Sequence, residues 1–392
     1  MKEPGAFSPG APSGAAVGTL PAELPEPAVA ASTDVALWAV IFAGGIGSRF
    51  WPLSTPARPK PLLRLVSEHT LIEDSIGRLQ PTIPPERVLI LTSHDIAPAI
   101  RTVTRDVPDE NVLVEPRRLG TAAALAWGMH EVSRRGGAGA MVCAIHCDLA
   151  VDFNEQFRLT LRSAAAYATR ERSLVSIGIK PTRPETGFGY VQPGMPLDPE
   201  IPLKRGGAHG TLSFIEKPSE HEALARIANG ALWHSGVVVG AASTFLDEIA
   251  LHTDEVRDAL LPLAAGDIPG FVSMARSNSL ERGLLERTHR LLVMLGEFGW
   301  DDVGTWASLR RARELDDDGN GAIGNAHFVD AECNVVHTET GTVVVFGVSH
   351  MLVVTIEGLT FVTSLERSGD LKPLFDALPG SMRSNPTGDG LT

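Results

Sequence analysis

From Val35 onward, short apolar runs alternate with longer amphipathic ones, and no other feature restricts the chain's fold as strongly. The runs Leu37 to Phe42, Val88 to Thr92, Asn111 to Val114, Met141 to Ile145 and Leu174 to Ile179 are rich in β-branched residues and too short for buried helices. Between them, Thr70 to Leu79, Ile96 to Arg105, Thr121 to Ser133 and Phe153 to Ala168 repeat with helical period. Strands joined by crossover helices make an α/β sheet with parallel strands. Thr70, with Glu73 one helical turn later, forms a capping box for the first helix.

Beyond about residue 185 the regularity weakens. Strands are expected near Gly189 to Gln192, Leu212 to Glu216 and Val237 to Gly240, then helices between Ala242 and Arg282, an insertion of the kind that walls a substrate site. From about Asn325 the texture changes to short β runs: Ala326 to Val329, Asn334 to His337, Thr342 to Val348, Leu352 to Ile356 and Thr360 to Thr363. A helix over Asp370 to Ala377 follows. The expected organisation is a Pro/Ala/Gly-rich disordered extension over 1–33, a main α/β domain over 34–320, a small β domain over 321–379 and a disordered tail over 380–392.

At 392 residues, one large domain and a small appendage fit the length. The balance of 34 basic against 47 acidic residues, a net charge of −13, disfavours coating nucleic acid or an anionic membrane, so a phosphate ligand must be held locally. Cys143, Cys147 and Cys333 are too few and too scattered for a disulfide framework, which suits a reducing, cytoplasmic setting. No apolar run reaches the roughly 18 residues of a membrane helix, and the N-terminus has no signal-like apolar segment.

The first strand runs into AGGIGSRFWPLSTPARPKPLL, Ala43 to Leu63. Gly44, Gly45 and Gly47, with Ser48, let the backbone curl and aim its N–H groups at an anion. Arg49 suits a planar clamp on phosphates and Lys60 a point charge, while Pro52, Pro56, Pro59 and Pro61 stiffen the loop. The glycines alone fit several phosphate-binding loops; the string is neither a Walker A loop nor a complete dinucleotide fingerprint. Asp148 and Asp302, taken singly, also fit helix caps, Asp302 for the helix that holds Trp306. Cys143, His146 and Cys147 make no zinc pattern, since strand alternation turns Cys143 inward and no second ligand pair has suitable spacing.

As a whole, GGxGxRxWPLS followed by RPKPLL resembles the signature of the sugar nucleotidyltransferases, and Trp51-Pro52-Leu53-Ser54 resembles that of the mannose-1-phosphate guanylyltransferase branch. The resemblance implies a Rossmann-like mixed, mostly parallel sheet flanked by helices, the nucleotide-diphospho-sugar transferase fold, with a small C-terminal β domain. It continues in order along the chain. HCDLAVD resembles the segment with the family's first metal-binding aspartate, which places Asp148 in that role; ETGFGYV, with Gly187, resembles the sugar-contacting segment. FIEKP resembles the segment whose glutamate and lysine bind sugar hydroxyls and sugar phosphate, here Glu216 and Lys217. WHSGVVV resembles W-N-S-G-x, with His234 and Ser235 at the sugar, and FGWDDVGTW resembles W-x-D-x-G-x-W, with Asp302 as second metal ligand.

EPRRLGTAAALAWG lies where the family reads its base, so Gly120 and Thr121 are implied at the nucleotide. Here Leu119 and Gly120 replace the usual Arg-Asn, Ala123 the Pro, Leu149 the His after the metal aspartate and His234 the sugar-site Asn, which leaves the choice of base and sugar open. The resemblance implies Mg²⁺-dependent transfer of a guanylyl group from GTP to mannose 1-phosphate, giving GDP-mannose and pyrophosphate, by an enzyme that pairs as a homodimer. Another hexose 1-phosphate or nucleotide is the first alternative, and a sensor that has kept the fold and lost turnover the second. The likeness extends to Leu378, and no fused isomerase domain is expected after it.

Overall fold

Burial decides the centre of the sheet. Strands β1 (Leu37–Phe42), β2 (Val88–Ser93), β3 (Val112–Glu115) and β4 (Met141–His146) are almost wholly buried and pair in parallel in the order β3-β2-β1-β4. The computed structural model describes residues 36–45 and 47–384. The expected extension over 1–33 lies outside the described residues. Of the expected tail over 380–392, Gly380–Ser384 forms a short helix and the remainder also lies outside.

After β4 the chain makes a short strand, β5 (Leu149–Val151), outside this sheet, and returns as β6 (Leu174–Ile179). It continues through β7 (Gly189–Pro196), β8 (Ala208–Glu216), β9 (Leu232–Ala241) and β10 (Leu291–Leu295). The nine-stranded order is β3-β2-β1-β4-β9-β6-β10-β8-β7, in which β8 and β9 alone run against the others. Parallel strands with mixed pairing on one side agree with the expected fold class. The sequence runs near 189–192, 212–216 and 237–240 are parts of these longer strands.

Helices α1 (Leu71–Leu79), α2 (Ala97–Val103), α3 (Thr121–Gly136) and α4 (Asn154–Glu171) cover the sheet. The expected capping box opens α1, with the Thr70 hydroxyl and Glu73 carboxylate satisfying each other's backbone N–H groups. Alternation along β1 sends Ala39 and Ile41 to one core, shared with α1 and α4, and Val40 and Phe42 to the other, shared with α3. The helical span expected between Ala242 and Arg282 is broken into Ala242–His252, Leu260–Ala264, Ile268–Met274 and a π-turn at Glu281–Leu285.

Strand β11 (Trp300–Asp302) pairs antiparallel with β5. Beyond the helix Trp306–Arg311, a separate sheet forms from β12 (Gly321–Val329), β13 (Val335–Phe346), β14 (Met351–Ile356) and β15 (Leu359–Ser364). A third core joins three distant parts of the chain: Phe50, Leu53, Leu63 and Leu65 from the glycine-rich loop, Ala150 and Val303 beside the β5–β11 ribbon, and Val335, Leu352, Val354 and Ile356 from the C-terminal sheet. Trp306 stands at its centre, fully buried, edge-on to Phe50 at 5.3 Å and near His337 at 6.1 Å. Trp306→Ala is expected to destabilise the protein by about 3–5 kcal/mol, read from equilibrium urea unfolding. A loss below about 1 kcal/mol would show that the three parts do not depend on this ring.

Candidate active site

The loop after β1 is tied down before it reaches the site. Ala43 N donates to Leu91 O at 2.8 Å and the Thr92 hydroxyl to Ala43 O at 2.9 Å, so β2 fixes the exit of β1. Gly47 then takes φ 75°, and a Cβ there would lie 2.5 Å from Lys60 Cβ; only glycine lets the two limbs of the loop approach this closely. Lys60 is buried, 5.4 Å above the Phe50 ring, and its ammonium meets Asp148 Oδ2 at 2.5 Å. On the facing turn, α1 holds both neighbours of Asp148: Ser75 Oγ donates to Cys147 O at 2.9 Å and the buried Arg78 Nη1 to Leu149 O at 2.7 Å. Burial would raise the Asp148 pKa, but Lys60 and His146 outweigh it and the carboxylate stays ionised below its ordinary range.

This pair lies at the mouth of a cavity of about 340 Å³ at the carboxyl ends of β1 to β4, the end of an α/β sheet where ligands bind. Gly44, Gly45, Lys60, Gly120, Thr121 and Asp148 all line it. A Cβ on Gly44 or Gly45 would meet nothing within 4 Å, so their backbone faces open space. Gly120 and Thr121 are also bound to protein. Gly120 has φ 82° and a Cβ there would lie 2.5 Å from Asn278 O, while Thr121 Oγ1 accepts from Leu280 N at 2.8 Å. The small residue is required by a second chain segment as well as by any ligand.

The cavity also contains Glu115 at the end of β3, only 9% exposed, with Oε1 buried and unpartnered. Burial pushes its pKa up to about 7, against partial opposition from the Leu119 amide and from Arg118 and Arg117. His146 lines the cavity too, packed on Phe42 at 5.0 Å, with Nε2 3.7 Å from Glu281 Oε1 on the π-turn. Burial would raise the Glu281 pKa; its contact with His146 reverses this and brings it down to about 2.

Strands β7, β8 and β9 carry the residues expected at the sugar. Lys217 Nζ pairs with Glu216 Oε1 at 2.8 Å, and Lys217 holds the left-handed φ 55° with its amide on Phe188 O at 3.1 Å. Gly187 N donates to Glu185 Oε1 at 3.2 Å, closing the turn before β7. On β9, Gly178↔His234 and Ser176↔Val238 pairings leave extra residues bulged around Ser235 and Gly236. His234 is buried with Nδ1 2.9 Å from Ser176 Oγ, while His234 Nε2 and Ser235 Oγ are buried without partners. Burial depresses the His234 pKa to about 4, so the ring is neutral. The Glu281 carboxylate opposes this depression in part, and it also adds to the upward shift that burial gives Glu216.

Asp302 sits on β11, opposite Leu149 across the ribbon, and Val303 N donates to Asp148 O at 3.0 Å. It caps nothing: the following helix is capped by Thr305. Nor does Asp148 precede a helix, since it lies in the turn between β4 and β5. Burial, then the Asp148 charge, push the Asp302 pKa up to about 7, with Lys60 opposing. Two carboxylates thus compete for one ammonium, a donor set that a divalent cation bound partly by phosphate oxygens and water would balance. Among the described residues no three His, Cys, Asp or Glu side chains gather as a complete metal site.

Ser48 and Arg49 are exposed on the turn Ser48–Phe50, and Arg49 makes no ion pair or hydrogen bond with the described residues. Glu115 and Glu281 went unrecognised in the sequence. An acidic residue closing a buried strand was a usable signal for Glu115; nothing in the spacing of Glu281 marks it, because a π-turn and a distant loop bring it to the site. The raised Glu115 pKa makes a signed prediction. A carboxyl whose folded value lies above its ordinary 4.5 keeps its stabilising contribution below that value and loses it as pH rises through about 7. Glu115→Gln is therefore expected to match wild type in stability near pH 4 and to exceed it by up to about 3 kcal/mol at pH 8. Equal melting curves at pH 8 would contradict the buried, unpaired state.

The sequence profile of the nucleotidyl transferase family matches residues 38–319. A mannose-1-phosphate guanylyltransferase of Sinorhizobium fredii is 29% identical over 350 residues, 86% of this chain and 67% of the relative. One of Klebsiella pneumoniae is 29% identical over 358 residues, 88% of this chain and 74% of the relative. Among solved structures, a Thermus thermophilus protein described as a mannose-1-phosphate geranyltransferase superposes with a TM-score of 0.79 and 31% identity, over 87% of this chain and 98% of its own. The match spans β1, the cavity, the bulged β9 and Asp302 alike, and by it this chain belongs to the nucleotidyl transferase family.

Proposed function

We propose that this protein is a mannose-1-phosphate guanylyltransferase, which joins the guanylyl group of GTP to mannose 1-phosphate and releases pyrophosphate. The observation that carries the reading is the cavity at the ends of β1 to β4, where an open glycine backbone, the Lys60–Asp148 pair and the unpartnered Glu115 acceptor converge. The names borne by the similar proteins of Sinorhizobium fredii and Klebsiella pneumoniae support the same substrates.

The reaction needs position and charge neutralisation more than proton transfer, because the attacking sugar phosphate oxygen is already an anion. Gly44 and Gly45 receive the triphosphate on backbone N–H groups, with Lys60 at the reacting phosphates and the free guanidinium of Arg49 able to swing onto the departing pyrophosphate. Asp148 and Asp302 would hold Mg²⁺, which when bound supplies charge neutralisation at the α-phosphate. Lys217 would offer its half-exposed ammonium to the sugar phosphate, and Glu216, with the unpartnered polar atoms of His234 and Ser235, would bind the hydroxyls.

Glu115 favours guanine. A carboxylate accepts and cannot donate, and guanine alone among the common bases offers adjacent N1–H and N2–H₂ donors on one edge. The altered residues Leu119 and Gly120 leave this acceptor in place, with Leu119 wholly buried and its amide on Glu115. A homodimer and a cytoplasmic setting belong to the same proposal. In support of the homodimer, Val344 and Phe346 stand exposed on one face of β13 with Val329 beside Phe346.

Pyrophosphate release measured with GTP, ATP, UTP, CTP and dTTP, each with mannose 1-phosphate and other hexose 1-phosphates in the presence of Mg²⁺, tests the reading. GTP with mannose 1-phosphate should give the highest kcat/KM, and no turnover with any pair would sink the enzyme. Asp302→Asn removes the repulsion with Asp148, so it should keep or raise the melting temperature while lowering kcat on the order of 100-fold or more. Turnover near wild type in that variant would remove Asp302 from the metal site.

A further inference from the structure

We propose that Glu339, on β13 of the C-terminal sheet, is a positioning residue for nucleotidyl transfer that acts through Arg58 on the loop carrying Lys60. The proposal rests on the transferase reading above. Arg58 Nη1 donates to Glu339 Oε2 at 2.8 Å and Nη2 lies 2.5 Å from Oε1, a two-pronged pair between residues 281 apart in sequence.

Glu339 is itself held in place from behind. Arg313 is buried and donates to Leu65 O at 3.2 Å, to Val336 O at 3.3 Å and to His337 Nδ1 at 3.1 Å. A guanidinium has no lone pair, so His337 Nδ1 must be the acceptor and its proton sits on Nε2, which faces Glu339 Oε1 at 3.8 Å. The chain of contacts Arg313, His337, Glu339, Arg58 thus runs from the buried floor of the C-terminal sheet to the loop. Burial holds the His337 pKa below its ordinary value, in accord with this neutral tautomer.

Movement at Arg58 is passed to Lys60. Arg58 and Thr55 exchange backbone hydrogen bonds at 3.1 Å in a closed turn, Pro59 and Pro61 restrict the chain on either side of Lys60, and Leu63 N returns to Lys60 O at 3.0 Å. The other limb of the loop rests on the same sheet and on the helix Lys372–Ala377 that follows it, with Trp51 edge-on to Phe361 of β15 at 5.4 Å and to Phe375 of that helix at 6.1 Å. The Arg58–Glu339 pair is about one-third exposed, so its weight in overall stability is small. Its leverage is on the placement of one ammonium, where a displacement near 1 Å costs a transferase much of its rate.

The test is Glu339→Gln, with the charge exchange Arg58→Glu/Glu339→Arg as rescue. Glu339→Gln should lower kcat roughly 10-fold, leave KM for mannose 1-phosphate within about two-fold and leave the urea midpoint unchanged, and the exchanged pair should recover part of kcat. Hydrogen exchange of amides 55–63 should be faster in Glu339→Gln than in wild type, a readout that needs no turnover. Wild-type kcat in Glu339→Gln, a loss of activity that merely follows a loss of stability, or unchanged exchange at 55–63 would each overturn the proposal. Failure of the transferase reading would show itself separately, as a wild-type protein that releases no pyrophosphate while exchange still reports the loop.

Discussion

The ion pair between Lys60 and Asp148 is the contact around which the rest is arranged. Removing an ammonium and a carboxylate from water is costly, and the pair is worth that cost only if both partners are held without slack. Each side is held by a different part of the fold. Lys60 is pinned by its close passage over Gly47, by Phe50 and by the third core; Asp148 is pinned by Ser75 and Arg78 of α1 acting on its neighbours. The loop, α1, the β5–β11 ribbon and the C-terminal sheet therefore together fix two charges at the cavity proposed to receive the triphosphate.

Around that pair the ionisable groups form a connected series. Asp302 competes with Asp148 for Lys60; His146 stands between Asp148 and Glu281; Glu281 in turn acts on His234 and Glu216, and Glu216 holds Lys217. Burial is the first cause of the raised values at Asp302 and Glu115, with the Asp148 charge adding to it at Asp302, so these are the two carboxyls least compensated by their surroundings. Those are the places where a cation and a base with paired donors would complete the site. The site is preorganised for ligands that bring what it lacks.

Much of this was legible in the sequence because it depends on local rules. Alternating runs gave β1 to β4 and their helices, Thr70 and Glu73 gave the start of α1, and the strand ending at His146 led directly to Asp148. Other parts depend on long-range packing. The short strands β5 and β11 have three residues each and little periodicity, so the ribbon that brings Asp302 to Asp148 left no local trace. The bulge in β9 forms against β6, the π-turn with Glu281 is held by α3 and by Thr253, whose hydroxyl donates to Gly283 O, and the hydroxyl of Thr121, expected at the nucleotide, accepts from the Leu280 amide. Arg58, in view within the signature loop, had no visible partner because Glu339 lies in the other sheet.

The close contact of Gly120 with Asn278 has a consequence for how such a protein can change. The start of α3 and the segment entering the π-turn are joined by hydrogen bonds from Ala122 N to Asn278 O and from Leu280 N to Thr121 Oγ1, so the wall beside Glu115 is tied to the wall that presents Glu281. On the proposed reading, with the base beside Glu115 and the sugar beside Glu281, the two subsites share this contact. A side chain added at Gly120 would meet the backbone of Asn278, so the wall beside Glu115 cannot be enlarged there without moving the segment that leads to Glu281.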